Sequence, residues 1–338
     1  MDSAITVGHV LEALDTMTGG RLVKGPKDMA GGNPFVVTKT SGIPGKAVTE
    51  LPGLVWGKTE MPVRRLAVLM TLTENDIELA AATGVDCLVA HHPVADAANS
   101  GGVTLKNYLD LYGLSVIELH EAFHGLHPGI AWLHGHEARE VNIRWGGIPG
   151  NIVYFGETLP EVKTLGDMLR RLNALMDLST ECRVLEAERT LRNCPDLMDA
   201  CVSSQGCILL GTEGTPVRKV LHIFPHTGFS PEHLEEAMKA HPETDTVLAT
   251  ISRSRPASRL VEKAAAMGLN FICGNSHSME ILENGLPLAW GLSMMLPGLD
   301  IRLFRERVTS FPLESAGSGF SREYGKSMAA RYLVPSKP

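Results

Sequence analysis

Histidine is the residue type that stands out in this 338-residue chain: of 13, nine fall at 91–92, 120–136 and 222–226, and a tenth stands at 277. Neutral imidazole binds Zn, Fe, Ni or Mn and carries protons near neutral pH, so such clusters point to metal binding or acid–base chemistry. His91-His92-Pro93 follows the apolar run VDCLVA. Adjacent strand residues face opposite ways, so the pair can serve two ions only where the strand ends and the backbone turns, and Pro93 supplies that turn. A pair that merely caps a strand by hydrogen bonds is the alternative.

A second apolar run, LSVIEL, leads into HEAFH, which carries His120, Glu121 and His124. Formally this is H-E-x-x-H, in which one helix face presents two zinc ligands and the glutamate activates water. Such a helix should continue past the second histidine, whereas here Gly125 and Pro128 follow and the preceding run is β-rich. A zinc metalloprotease is therefore the minor reading, and His120 and His124 are candidate ligands on a strand-to-helix turn. In NFICGNSHSMEI, His277 and Glu280 stand three residues apart, so that one helical turn aims both at one point. A helix cap by Ser276 or Ser278 with Glu280 in the first turn would use the same stretch.

The elements around these windows alternate. RRLAVLM reads as a buried strand, ENDIELAAATG as a helix stopping at Gly84 and VDCLVA as a second strand, which together make a parallel crossover. TLKNYLDLYG and LSVIEL extend the alternation with a further helix and strand. The same grammar returns later: RKVLHIF parallels RRLAVLM, SPEHLEEAMKAH parallels TENDIELAAATG, DTVLATIS parallels VDCLVAHH, and ASRLVEKAAAMG leads to the strand before His277. The expected fold is thus α/β, with two related α/β/α lobes and mostly parallel sheets. An amphipathic helix opens the chain at 5–17, and the Gly/Pro-rich stretch 19–62 reads as loops and edge strands. The glycine-rich RWGGIPGN at 144–151 suggests a boundary, giving a first lobe over 1–146, a second over 147–309 and a polar, mildly basic tail over 310–338.

Composition narrows the function classes. A formal charge of -7 without a long basic run argues against nucleic acid as a partner. No signal-like start is present and no apolar run approaches the ~20 residues that span a bilayer, so a cytoplasmic protein without membrane attachment is expected. Six scattered cysteines without a C-x-x-C pair read as reduced thiols, with Cys87 and Cys273 as small buried hydrophobes.

Three such windows, each closing an apolar strand, resemble the Nif-three-like dinuclear metal-centre family, also called the domain-of-unknown-function thirty-four family. Its members show His-His-Pro after a strand, a middle motif of the His-Thr-Asn-Leu-Asp type and a late His and Glu. Order and spacing match over roughly residues 50–300. The resemblance implies that His91 and His92 bind the two metals, that His120 is the middle histidine and that His277 and Glu280 are the late pair. His124 falls where the family usually has aspartate, the late pair is spaced by three residues instead of four, and of an N-terminal Asp-Asn-x-Gly only GLVWG at 53–57 offers an echo. It further implies a toroidal homo-oligomer, commonly a hexamer, with two divalent ions (Zn, Mn, Fe, Ni or Co) in the cleft between lobes.

The expected activity is metal-dependent hydrolysis of a small-molecule carbonyl, amidine or phosphoryl group, because two neighbouring ions can share a water whose pKa falls toward neutrality. Glu121 and His226 are the candidates for proton transfer or substrate contact. A metal-binding regulator, chaperone or scaffold would use the same ligands. An open coordination position facing a pocket would separate the two readings.

Overall fold

The computed structural model describes residues 4–40, 44–45, 47–94, 103–197, 206–224, 228–251, 254–305, 310 and 312–333. Helix α1 (Val7–Met17) begins the chain and buries Val7, Val10 and Leu14 along one stripe, as its spacing predicts. The Gly/Pro-rich segment then forms an antiparallel hairpin, β1 (Val37–Thr40) with β2 (Ala47–Glu50), and strand β3 (Gly53–Trp56).

The first repeat of strand and helix follows: β4 (Arg65–Leu69), α2 (Glu74–Thr83), β5 (Cys87–Ala90), α3 (Val103–Tyr112) and β6 (Ser115–Glu118). Strands β4, β5 and β6 are mutually parallel, and β3 closes the edge antiparallel to β6. Their residues are apolar on both faces because helices cover both. Leu66, Val68, Cys87 and Val89 pack toward α1, whereas Ala67, Leu69, Leu88 and Ala90 pack with Ile77, Ala80, Leu105 and Leu109 of α2 and α3.

A short helix α4 (Gly129–Leu133) leads to β7 (His136–Asn142), β8 (Ile152–Thr158), α5 (Leu165–Leu175), α6 (Leu178–Arg192) and β9 (Cys207–Leu210). The second repeat is β10 (Lys219–Phe224), α7 (Pro231–Ala240), β11 (Thr246–Ile251), α8 (Arg259–Ala266) and β12 (Asn270–Ser276). In this sheet, ordered β7-β8-β10-β11-β12-β9, the parallel trio β10-β11-β12 is flanked by antiparallel strands. Both sheets are thus mixed, parallel at the centre, and the strand–helix–strand–helix–strand repeat expected from the two halves is present in each.

The lobes interlock in a way that the boundary at 146/147 does not follow. Strand β7 lies before that boundary yet belongs to the second sheet, through pairing with β8. After β12 the chain returns through α9 (Leu286–Met295) and β13 (Asp300–Leu303). α9 packs with α1, and β13 adds to the outer edge of β4 in the first sheet. The physical reason is burial: β4 would otherwise expose a hydrogen-bonding edge beside an apolar face. Within the tail, α10 (Gly319–Met328) buries none of its residues and presents Phe320 and Tyr324 to solvent. Among the described residues no helix is long and apolar enough to cross a membrane.

Gly84 sets the aim of β5. It ends α2 in the left-handed conformation (φ 68°), and its N–H closes on Ala80 and Ala81 carbonyls before the chain turns into the strand that delivers His91. Gly84→Ala should therefore cost about 1 kcal/mol. A chemical-denaturation midpoint indistinguishable from wild type would contradict this account of the turn.

Candidate metal centre

Parallel strands bring their carboxyl ends to one edge, and the candidate ligands gather there. His91 and His92 prolong β5 by one step each, with their N–H groups donating to the carbonyls of Leu69 and Met70 at 3.0 and 2.8 Å, before Pro93 breaks the ladder. His120 follows β6, and the residues after it form a turn in which the Phe123 N–H donates to the His120 carbonyl. This turn is not the continuous helix that H-E-x-x-H requires. From the second lobe, β12 runs into a 3-10 turn over His277–Met279. Three residues per turn place His277 and Glu280 on the same side, which accommodates their spacing of three.

Two trios result. His91, His120 and His124 offer ligand atoms within 4.8 Å of one another, as do His92, His277 and Glu280. Glu280 lies between the trios, with one carboxylate oxygen 3.6 Å from His91 Nε2 and the other 3.0 Å from His92 Nε2. A third group of the same compactness is Glu50, His120 and Glu121.

Hydrogen bonding decides which way the imidazoles present their lone pairs. His91 Nδ1 donates to the Leu119 carbonyl at 3.0 Å, His120 Nδ1 to a Glu50 oxygen at 2.9 Å and His124 Nδ1 to a Glu121 oxygen at 3.3 Å. Carbonyls and carboxylates only accept, so each ring carries its proton on Nδ1 and turns a bare Nε2 inward. The His91 Nε2 lone pair then faces a carboxylate oxygen, and the buried His124 Nε2 has no protein hydrogen-bond partner. The Asn284 amide is a donor here, 3.5 Å from His91 Nε2 and 3.2 Å from a Glu280 oxygen; the remaining inward acceptors, and the outward Nδ1–H bonds of the kind that fix metal-binding histidines, suit a cation. In the second trio, His92 Nδ1 lies 2.8 Å from the Thr71 hydroxyl. The residues present fit metal binding.

Electrostatics agree with this reading. Burial lowers the pKa of His91, His120 and His277, and lowers His120 furthest, keeping the rings neutral. Burial opposes ionisation of Glu280, but its contacts with His91 and His92 hold it well below the usual carboxylate range. Glu121 likewise stays ionised against its burial, through His124, His120 and Lys39.

A cavity of about 240 Å³ opens onto the centre, lined by His92, His120, His124, His277 and Glu280 from the candidate ligands, together with Lys39, Phe224 and Ile251. Ile251, on the cavity wall, has φ 71°, a strained value for a β-branched residue. Gly150 (φ 85°) closes one wall. A Cβ there would lie 2.9 Å from a Glu121 oxygen, so only glycine lets this loop approach so closely.

Of the expected proton carriers, Glu121 is buried, with one oxygen on Lys39 and the other at His124, while His226 lies outside the described residues. Sequence reasoning missed Glu50 and Lys39, which the β1–β2 hairpin delivers. Glu50 pairs opposite Val37, so the period of two puts Lys39 on the same face as a diagonal neighbour. Alternation in VTKT and AVTE was the available signal, but nothing in it places the hairpin against the histidines. Glu118 does this physically: its two oxygens accept the Leu51 and Val94 N–H groups at 2.7 and 2.9 Å, fastening the segments after Glu50 and after Pro93 to the end of β6.

His134 and His136 are in the core of the second lobe. His136 Nε2 lies 2.9 Å from His222 Nδ1, whose ring reaches the Thr250 hydroxyl at 2.8 Å, and His134 accepts the Asn275 N–H. Asn275 also donates to Glu283 at 2.6 Å. Burial pushes the Glu283 carboxyl up to about 8 and brings His134 down to about 4 and His136 to about 3.

Neither a family model nor any curated protein matches the sequence. Solved structures do match over most of the chain. Reduced HcgD from Methanocaldococcus jannaschii aligns with a TM-score of 0.55 and 14% identity, covering 89% of this chain and 98% of that one. A Bacillus cereus protein related to NIF3 aligns at 0.55 and 11%, covering 92% and 100%. Staphylococcus aureus protein SA1388 aligns at 0.54 and 12%, covering 92% and 99%. The chain therefore has a NIF3-like fold, divergent in sequence, with buried His/Glu clusters at the carboxyl edge of its sheets.

Histidines kept neutral in the fold make stability depend on pH. Unfolded histidine takes up a proton near 6.5, whereas folded His134 and His136 do so only near 4 and 3. Their contribution is complete above pH 6.5 and is lost as pH falls toward 4. His136→Gln should flatten the fall between pH 6 and 4 by up to about 1.4 kcal/mol per pH unit. Denaturation series giving equal slopes for both proteins would exclude it.

Proposed function

We propose that this chain is a metal-dependent hydrolase that acts on a small molecule through two divalent ions, one held by His91, His120 and His124 and the other by His92, His277 and Glu280. The observation that carries this reading is the inward convergence of three bare Nε2 atoms beside the Glu280 carboxylate at the wall of a cavity. Such ions, when bound, bring a shared water toward neutrality in pKa and polarise a carbonyl, amidine or phosphoryl group.

The protein's own groups do the rest. Leu119, Glu50 and Glu121 fix the tautomers of three rings, and Thr71 contacts a fourth. Asn284 donates to Glu280 at 3.2 Å and steadies its carboxylate between the trios. Phe224 and Ile251 give the cavity an apolar wall that limits water and favours a compact substrate. Glu121, engaged on both oxygens, acts by orienting His124, with Lys39 holding its charge. The open cavity favours turnover over storage, since a structural site is closed by its ligands. A homo-oligomer, hexameric by the family resemblance, belongs to the same proposal, and the exposed Trp290 and Met294 of α9 offer it an apolar contact.

Protein purified without chelator should hold about two equivalents of metal by plasma mass spectrometry, lost in a His91→Ala, His92→Ala double variant. Glu50→Gln should weaken metal affinity about 10- to 100-fold without unfolding the chain. Metal-free wild type after reconstitution with Zn, Mn, Fe, Ni and Co would overturn the reading. Two bound ions without hydrolysis of any carboxylic, amidine or phosphoryl ester probe would favour the non-catalytic role.

A further inference from the structure

Beside the two trios, Glu50 and Glu121 are buried with 2% and 4% of their side chains exposed, close enough with His120 to form the third compact ligand group. Two adjacent buried carboxylates repel one another, and an uncompensated buried charge is costly. The compensating charge arrives on a tether. Lys39 Nζ pairs with Glu50 Oε1 and lies 3.1 Å from Glu121 Oε1, while its stem follows the cavity wall. The other oxygens of the two carboxylates accept from His120 and His124. The ammonium therefore sits where a cation would bridge Glu50 and Glu121, one residue away from the candidate centre.

We propose that Lys39 is a built-in cation occupying the seat of a third metal ion, so that the β1–β2 hairpin limits the centre to two ions and keeps Glu50 and Glu121 as orienting partners of His120 and His124. Removing the ammonium while keeping the bulk of the side chain opens this seat to a divalent ion with a preference for oxygen, held first by the two carboxylates. His120 Nδ1–H can keep donating to the second Glu50 oxygen meanwhile, so the neighbouring trio need not be dismantled. This inference adjoins the dinuclear reading, but its measure is a difference between proteins and stands apart from the wild-type count.

The test is titration of metal-depleted full-length chain with Mn²⁺ at pH 8, counting bound ions by equilibrium dialysis for wild type, Lys39→Met, Lys39→Arg and Lys39→Met with Glu50→Gln. Lys39→Met should bind one ion more than wild type, from two to three if the dinuclear reading holds. Lys39→Arg, which keeps the charge, and the double variant should lack the extra ion. Equal counts for wild type and Lys39→Met, meaning that a proton neutralises the carboxylates instead, would overturn the proposal whatever the wild-type number. A wild-type count near zero overturns only the dinuclear reading. If Lys39→Met does not fold alone, circular dichroism should show its recovery with Mn²⁺ but not with K⁺ at equal ionic strength. Recovery with neither ion, or equally with both, overturns the proposal.

Discussion

A carboxylate that is almost wholly buried must be met by positive charge or by hydrogen-bond donors, and Glu280 meets that requirement across the chain: it comes from the segment after β12, and its oxygens are met by the Asn284 amide at 3.2 Å and by His92 Nε2, from the end of β5, at 3.0 Å. The rest of the centre follows from this demand. Parallel pairing of β4, β5 and β6 brings His91, His92 and His120 to one edge, and the tight turn after β12 swings Glu280 to face them. Loops contribute what the strands cannot: Arg21 donates to the carbonyls of Ala122 and His124, pinning the turn that presents His124.

Much of this was legible because buried parallel strands announce themselves as unbroken apolar runs. VDCLVA, LSVIEL and NFICGNS each end where polar chemistry begins, and the three ends are the three corners of the candidate centre. Repetition of the crossover grammar in the two halves was legible for the same reason. The β1–β2 hairpin was not. Its strands are four residues long, lie in a stretch crowded with Gly and Pro, and carry Lys39 and Glu50, whose importance exists only through contacts with residues about 70 to 80 positions away. The core placement of His134, His136 and His222 was hidden likewise, since imidazoles that satisfy one another read in sequence like imidazoles awaiting a metal.

The second buried polar system shows how near the two kinds of histidine cluster can come. His134, His136 and His222 are as buried as His91, yet all their nitrogens but His136 Nδ1 meet one another, Thr250 or backbone groups. The difference lies in direction: His91, His120 and His124 are pushed by outward acceptors into offering lone pairs to a common point, whereas in the second lobe His136 and His222 are linked to Thr250 and His134 bridges the Ile130 carbonyl and the Asn275 N–H. From His134, Asn275 leads to Glu283, three residues from Glu280 in the sequence.

The return of β13 to the first sheet orders events during synthesis. Arg65 at the start of β4 pairs with Asp300, a partner made 235 residues later. Until the ribosome has delivered that stretch, the first half carries an open strand edge and lacks α9, which covers the same face beside α1. Contacts between such distant residues form slowly, because the loop they close is long. The second lobe, whose strands β7 to β12 are contiguous in the chain, can pair its own strands first. The half that emerges first is thus completed only by β13, a strand that lies beyond every candidate ligand in the chain.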